Sequence, residues 1–418
     1  MSWLDKITFE DADTWRREFG TPCFLYDESA LRAAAEAAKA FPAAYGLTVR
    51  YAMKAAPNAN LLRCFRDWGL SFDASSLYEA LRLEAAGVPL ERVSLSSQQL
   101  DAGFADLHRR GMAVNACSLD QLRRFGEAFP DGRVGLRFNP GLGSGGTNRT
   151  NVGGPASSFG IWHASLDAAR ELAAEHGLVV ERIHSHIGSG SDPEVWKRVA
   201  ALTLDLARAF PKVETVNLGG GYKVARMPGE GATDLQRIGA PVRELFERFA
   251  AETGRRLRLE IEPGTFLVAN AAAVLASVED VVDTGAEGYR FIKLDTGMTE
   301  ILRPSLYGAQ HPIRVLRARE GAAERDYVVV GHCCESGDIL TPAPGDPELL
   351  APRPLPEARA GDLCLVGGAG AYCAAMSAKN YNSYPEAPEV LLCADGAARL
   401  IRRRQTLGQI LENEISVE

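Results

Sequence analysis

The 418-residue chain has no apolar run approaching the roughly 20 residues that a membrane-spanning helix needs. It has no C-x-x-C pair either, its cysteines standing scattered at 23, 64, 117, 333, 334, 364, 373 and 393. That spacing argues against a disulfide framework or a zinc site and for a reducing cytoplasm. Positive charge is not in excess: the net charge of −8 leaves no basic footprint for nucleic acid or an anionic membrane. The opening "MSWLDKITFEDADTW" carries acids early and no apolar h-region, so no secretory signal is expected. Low-complexity tracts are missing too. What is present, 46% hydrophobic and 24% charged residues, is ordinary globular material with enough apolar content for a large core. The length suits two or three domains, or one large barrel with a smaller companion.

From about residue 30 to 270, short apolar strands alternate with amphipathic helices. The strand candidates are "LTVRYAMK", "LSFDAS", "RVSLSS", "MAVNAC", "RVGLRFNP", "VERIHSHIGS", "VETVNLGGG" and "RLRLEIEPG". Helical stretches such as "SLDQLRRFGEAF", with Ser118 as N-cap, lie between them. Eight such alternations predict an α/β fold, a parallel (β/α)8 barrel over residues 31–275, in preference to an open doubly wound sheet. After about 275 the pattern changes to strands joined by Gly, Pro and Asp turns, which predicts a C-terminal β domain over 276–418. Residues 1–30 contain "TPCFLYD", a strand candidate expected to join that β domain.

In a barrel of this kind reactive groups project from the C-terminal ends of the strands. Those ends carry Lys54, Asp73, Ser97, Arg137 with Asn139, His186 with Ser189, Gly219–Gly221, and Glu262. Each has a plainer explanation. Asp73 suits a helix cap, the three glycines a tight turn, His186 a satisfied core histidine, and Lys54 a strand-end lysine reaching solvent. Their joint placement favours one ligand. A glycine-rich turn brings backbone N–H groups to a phosphate, with Ser189 adding a hydroxyl. A carboxylate such as Glu262 holds a protonated ring nitrogen, and an imidazole such as His186 stacks on an aromatic ring. A lysine forms a Schiff base with an aldehyde. Phosphate, ring nitrogen and aldehyde together describe pyridoxal 5′-phosphate, and Lys54 ends a buried strand because it must be held rigidly over that cofactor.

"YAMKAAPN", "HIGSG", "NLGGGY", "EIEPG", "CESGD" and "GAYCAAMSAKNYNS" resemble the fold type III pyridoxal-phosphate decarboxylases, most closely the diaminopimelate decarboxylase family. The likeness spans nearly the whole chain. It implies an alanine-racemase-like (β/α)8 barrel with a C-terminal β domain, in a homodimer whose active sites both subunits build. By motif it makes Lys54 the Schiff-base lysine and His186 the residue on the ring. Ser189, Gly219, Gly220 and Gly221 become phosphate contacts, Glu262 the pyridinium partner, and Asp73 and Gly264 further cofactor contacts. Cys334 resembles the cysteine that comes from the partner subunit and returns a proton to the α-carbon. Glu335 and Asp338 are implied near the substrate amine, Arg303 and Tyr307 as substrate-carboxylate contacts, and Tyr372 as a cofactor and substrate contact. A racemase of this fold would place an arginine opposite the ring nitrogen, so "EIEPG" and "CESGD" favour decarboxylation.

The chain departs from the family pattern at a few positions. Members generally carry arginine directly after "EPG", where it helps hold the substrate; here that residue is Thr265. They usually read "HIGSQ" and "YNSRPR", where this chain has Gly190 and "YNSYPE". The glycine-rich stretch 139–162 is long, and "MSAKNYNS" contains Lys379. Threonine cannot reproduce the bidentate fork with which arginine grips a carboxylate. Three readings follow. The first is decarboxylation of meso-diaminopimelate to lysine, with Lys379 or Arg226 replacing the missing arginine. The second is decarboxylation of a diamino acid without the distal carboxylate, such as D-lysine or D-ornithine. The third is a cofactor-binding protein without catalysis, against which the intact "CESGD" speaks.

Overall fold

A computed structural model describes residues 2–144, 152–319, 321 and 323–417. The middle of the long glycine-rich stretch, residues 145–151, lies outside the described residues. The chain divides into two compact units, one of residues 32–224 and 231–267, the other of 1–31, 225–230 and 268–418.

The first unit is a closed barrel of eight parallel strands. In chain order these are Leu47–Ala52, Ser71–Ala74, Val93–Leu95, Ala113–Ala116, Arg133–Asn139, Val179–Ser185, Thr215–Asn217 and Arg258–Ile261. The last strand returns to the first (Leu259 opposite Leu47). Asn115 opposite Gly135 and Ala116 opposite Leu136 join the fourth strand to the fifth. All eight expected strands are present. Their shortness and apolar content follow from burial on both faces, with the barrel interior on one side and helices on the other. The helices start where the sequence offers caps: Ser118 Oγ accepts from the Gln121 amide at 3.1 Å, and Ser76 caps the helix that follows Asp73.

The barrel interior holds a buried ion triad instead of branched apolar layers alone. Glu260 Oε1 accepts from Arg50 Nη2 at 2.8 Å, and Glu260 Oε2 from Arg182 Nε at 2.9 Å. Burial pushes the Glu260 carboxyl up, but the two guanidinium groups outweigh it and bring it down to about 2. The carboxylate therefore adds stability above its ordinary value of 4.5, and this is lost as the pH falls through about 2. Glu260→Gln strands two buried cations. It is expected to cost about 3–5 kcal/mol and to lower the melting temperature by on the order of 10 °C, read by thermal denaturation at pH 7.

The second unit is built on a nine-stranded sheet. Its longest member is the twelve-residue strand Ala272–Asp283, which pairs with Cys23–Asp27, Arg290–Leu294 and Leu363–Gly367. Cys23–Asp27, the strand in "TPCFLYD", also pairs in parallel with Glu389–Leu392. Leu25, Leu275, Leu365 and Val390 meet in its core. The expected boundary at 275/276 runs inside the strand Ala272–Asp283, because its apolar run reads as barrel-like although its hydrogen bonds belong to the other sheet. Residues 225–230, expected within the barrel, group with this second unit. No helix among the described residues is long and apolar enough to cross a membrane.

Candidate active site

The barrel strands deliver the predicted residues to their carboxyl ends. Lys54 sits on the single turn Met53–Ala55 directly after the first strand, its side chain exposed between the fully buried Met53 and Ala55. The last strand supports that turn: Pro263 O accepts from the Ala52 amide at 3.2 Å, and Gly264 lies so close that a Cβ there would stand 3.3 Å from Ala52. The "EPG" and "YAMK" motifs are thus one piece of structure. The Lys54 ammonium acts on Asp73, Glu79 and His186.

Asp73 is a strand residue, not a helix cap; Ser76 does the capping. Its carboxyl is buried, Oδ1 has no hydrogen-bond partner, and burial followed by the nearby Glu262 raises it well above the usual carboxylate range. Glu262 differs sharply. Burial favours its neutral form, but His184, His186 and Asn217 reverse this and hold it well below the ordinary value. Asn217 Nδ2 donates to Glu262 Oε1 at 2.6 Å, and His184 Nε2 lies 3.2 Å from Oε2. The result is one ionised carboxylate, fixed in orientation at the barrel mouth. His186 is kept neutral, first by burial and then by Arg137 and Lys54, and its Nδ1 is buried without a partner.

The three glycines are required by close approach as well as by turning. Gly219 has φ +70, and a Cβ there would lie 2.6 Å from His186 Nδ1, so the histidine packs directly against the backbone. At Gly221, with φ +98, a Cβ would lie 1.8 Å from the Gly188 carbonyl oxygen. Gly221 O accepts from the Gly190 amide at 3.0 Å, joining "HIGSG" to "NLGGG". Among the described residues the amides of Gly220 and Gly221 form no hydrogen bond. Free glycine amides, a neutral imidazole packed beside them, a fixed carboxylate and a lysine fit a phosphorylated pyridine aldehyde. The residues present match that group.

Sequence reasoning passed over His184 and Asn217, which set the state of Glu262. The signal was the two-residue period: His184 precedes His186, Asn217 precedes Gly219 and Glu260 precedes Glu262 by two positions, so each pair shares a strand face. Among the described residues no group of three or more His, Cys, Asp or Glu is placed to hold a metal ion.

The remaining predicted residues belong to the second unit. Cys334 is exposed, and its amide donates to Asn382 Oδ1 at 2.8 Å. Asn380, Asn382 and Ser383 of "NYNS" all have positive φ, which bends that loop to present the Asn382 side chain. Tyr372 is also left-handed, at φ +56. Glu335 is exposed and accepts from the Gly337 amide at 3.1 Å. Asp338, expected beside a substrate amine, is instead turned inward. It accepts from the amides of Met298 at 2.7 Å and Cys333 at 2.9 Å, because Gly297 and Gly331 leave space for its carboxylate and a loop turning this sharply needs an acceptor beneath it. Arg303 and Tyr307 lie at the two ends of one short helix, and Arg303 Nη1 reaches His311 Nε2 at 3.0 Å. Lys379 pairs with Glu386 at 2.7 Å.

Residues 28–269 match the family described as "Pyridoxal-dependent decarboxylase, pyridoxal binding domain". The chain belongs to the pyridoxal-dependent decarboxylases. It is similar to the diaminopimelate decarboxylase of Escherichia coli K12, 37% identical with 98% of this chain and 97% of that one covered. A crystal structure of a diaminopimelate decarboxylase superimposes with a TM-score of 0.91 at 35% identity, covering all of both chains. The Helicobacter pylori diaminopimelate decarboxylase complexed with L-lysine superimposes with a TM-score of 0.85 at 25% identity, over 96% of this chain and 98% of that one. The decarboxylase barrel and its β domain are therefore this chain's fold, and decarboxylation is its reaction class.

Proposed function

We propose that this decarboxylase converts meso-diaminopimelate to lysine with pyridoxal 5′-phosphate as cofactor. The observation that carries the reading is the ionised Glu262, fixed by Asn217 and His184 at the mouth of a barrel that also presents Lys54 and the free glycine amides. When bound, the cofactor supplies an electron sink for the pair left on the α-carbon as carbon dioxide departs. Lys54 holds the cofactor's aldehyde carbon. Gly220, Gly221 and Ser189 donate to its phosphate, and His186 covers one face of its ring. Glu262, as a carboxylate, keeps a proton on the ring nitrogen. Asp73, whose carboxyl burial and the nearby Glu262 raise well above the usual carboxylate range, is a further cofactor contact.

Cys334, from the partner subunit of a homodimer, donates the proton that replaces the departing carboxylate. Glu335 and Tyr372 contact the substrate, and Arg303 with Tyr307 meets the carboxylate that the reaction leaves in place. Asp338 acts one layer back, holding the loop that carries Cys333 and Cys334. The eight unpaired cysteines suit a cytoplasmic enzyme.

The competing substrates are D-lysine and D-ornithine. The expected result is a kcat/KM for meso-diaminopimelate at least about a hundredfold above either, roughly 2.7 kcal/mol. Equal or reversed preference, measured with product identification on purified enzyme, removes the diaminopimelate reading.

A further inference from the structure

We propose that Arg226 is the second cation of the distal-carboxylate site, replacing the arginine that family members carry where this chain has Thr265. This rests on the diaminopimelate reading above and assigns its specificity to a residue outside the family's motifs.

The geometry starts from two successive carbonyls at the end of the strand Leu363–Gly367. Gly368 O accepts from Arg226 Nε at 3.0 Å, and Gly367 O accepts from His311 Nδ1 at 2.8 Å. With its proton on Nδ1, His311 offers the Nε2 lone pair to Arg303 Nη1 at 3.0 Å. Both guanidinium groups are therefore moored beside the same turn. The mooring of Arg226 is tight: Gly368 has φ +64, and a Cβ there would fall 2.9 Å from Arg226 Cδ. A further tie holds the segment, since Asn270 Nδ2 donates to Ala225 O at 2.9 Å. Glu230, the nearest acid in sequence, spends Oε2 on the backbone amides of Arg226 and Met227 and forms no hydrogen bond with the guanidinium, acting on it through its charge alone.

Neither arginine forms an ion pair among the described residues, and Arg226 Nη2 is sealed from solvent without a hydrogen-bond partner. Ser305 Oγ, on the same short helix as Arg303, is likewise buried and unpartnered. The electrostatics agree. Burial and then the proximity of Arg303 bring Arg226 down to about 9, and burial with the two arginines keeps His311 neutral. Two half-buried cations with unspent donors, and no carboxylate hydrogen-bonded to either among the described residues, favour an anion that joins them. A carboxylate offers two oxygens to such a pair, and guanidinium forks bind carboxylates in a bidentate manner. D-lysine and D-ornithine, decarboxylated at their only carboxylate, have none left to give. Lys379, the other candidate, already spends its ammonium on Glu386 at 2.7 Å, a carboxylate that it shares with Arg402.

The test compares holoenzyme with Arg226→Leu, Arg226→Lys and Lys379→Ala, using meso-diaminopimelate and D-lysine as substrates. Cofactor absorbance and melting temperature monitor folding. Arg226→Leu is expected to lose about a hundredfold in kcat/KM for meso-diaminopimelate, within the range for breaking a desolvated charge pair, and less than about threefold for D-lysine. Arg226→Lys keeps the charge without the fork and is expected to fall between. Lys379→Ala is expected to keep the unmodified preference. If Arg226→Leu does not fold, calorimetric titration of Arg226→Lys with L-lysine and cadaverine takes its place, and a weakened preference for L-lysine is expected. The proposal is overturned if Arg226→Leu lowers both substrates equally or neither, if Lys379→Ala is the variant that loses the preference, or if Arg226→Lys keeps the full preference for L-lysine. Failure of the diaminopimelate reading shows separately, in the unmodified enzyme alone.

Discussion

Lys54→Ala is expected to abolish covalent retention of the cofactor and to lower turnover by at least the 10²–10⁴-fold, roughly, of a lost catalytic group. Borohydride treatment of the unmodified enzyme should fix the cofactor to the peptide containing Lys54. Placement is the reason. The lysine stands on a single turn between two buried residues, and the Pro263 carbonyl holds the base of that turn by the Ala52 amide. Its charge also bears on Asp73 and His186, so its removal changes the electrostatics of the whole barrel mouth. Folding need not suffer, because the side chain is exposed and contributes no core packing. A variant that retains a borohydride-fixed cofactor on another lysine would refute the assignment.

The second large effect is expected at Cys334, and the adjacent Cys333 provides the contrast. Cys333 is half-buried, its amide is held by Asp338, and burial followed by the Asp338 charge pushes its thiol up to about 12. A thiol so placed gives up its proton poorly. Cys334 is exposed on the same loop, oriented through its amide by Asn382. Cys334→Ala should therefore slow turnover by about 10²–10⁴-fold, the range for a lost general acid, with Cys333→Ala close to the unmodified enzyme. The dimer adds a second readout. Subunits carrying Lys54→Ala, mixed with subunits carrying Cys334→Ala, should recover part of the activity, since one of the two shared sites then has both groups intact. No recovery in verified heterodimers would remove the claim that Cys334 acts on the partner's cofactor.

The barrel was legible in the chain because each of its strands is a short apolar run closed by polar or glycine residues, a pattern that local sequence expresses fully. Lys54, Glu262 and the glycines at 219–221 were visible for the same reason: they interrupt that pattern where strands end. The strand Ala272–Asp283 was not, since its apolar start reads as a continuation of the barrel, and only its hydrogen bonds to Cys23–Asp27 and Leu363–Gly367 assign it to the other sheet. The backbone contacts of Asp338 were not visible either, because a carboxylate in a motif looks the same in sequence whether it faces a substrate or its own backbone.

By itself, then, the sequence determined the fold class and the residues at the strand ends, because periodicity and residue type are local properties, while the reaction was implied by the family resemblance of motifs such as "CESGD". Tertiary structure decided the states and partners of those residues. Glu262 is ionised because His184 and Asn217 converge on it from two other strands. Lys379 is paired with Glu386, which it shares with Arg402. Arg226 has unspent donors because the acid nearest in sequence, Glu230, binds backbone instead. Charge and hydrogen bonding act over a few ångströms of space, and distance in space is what a linear sequence does not record.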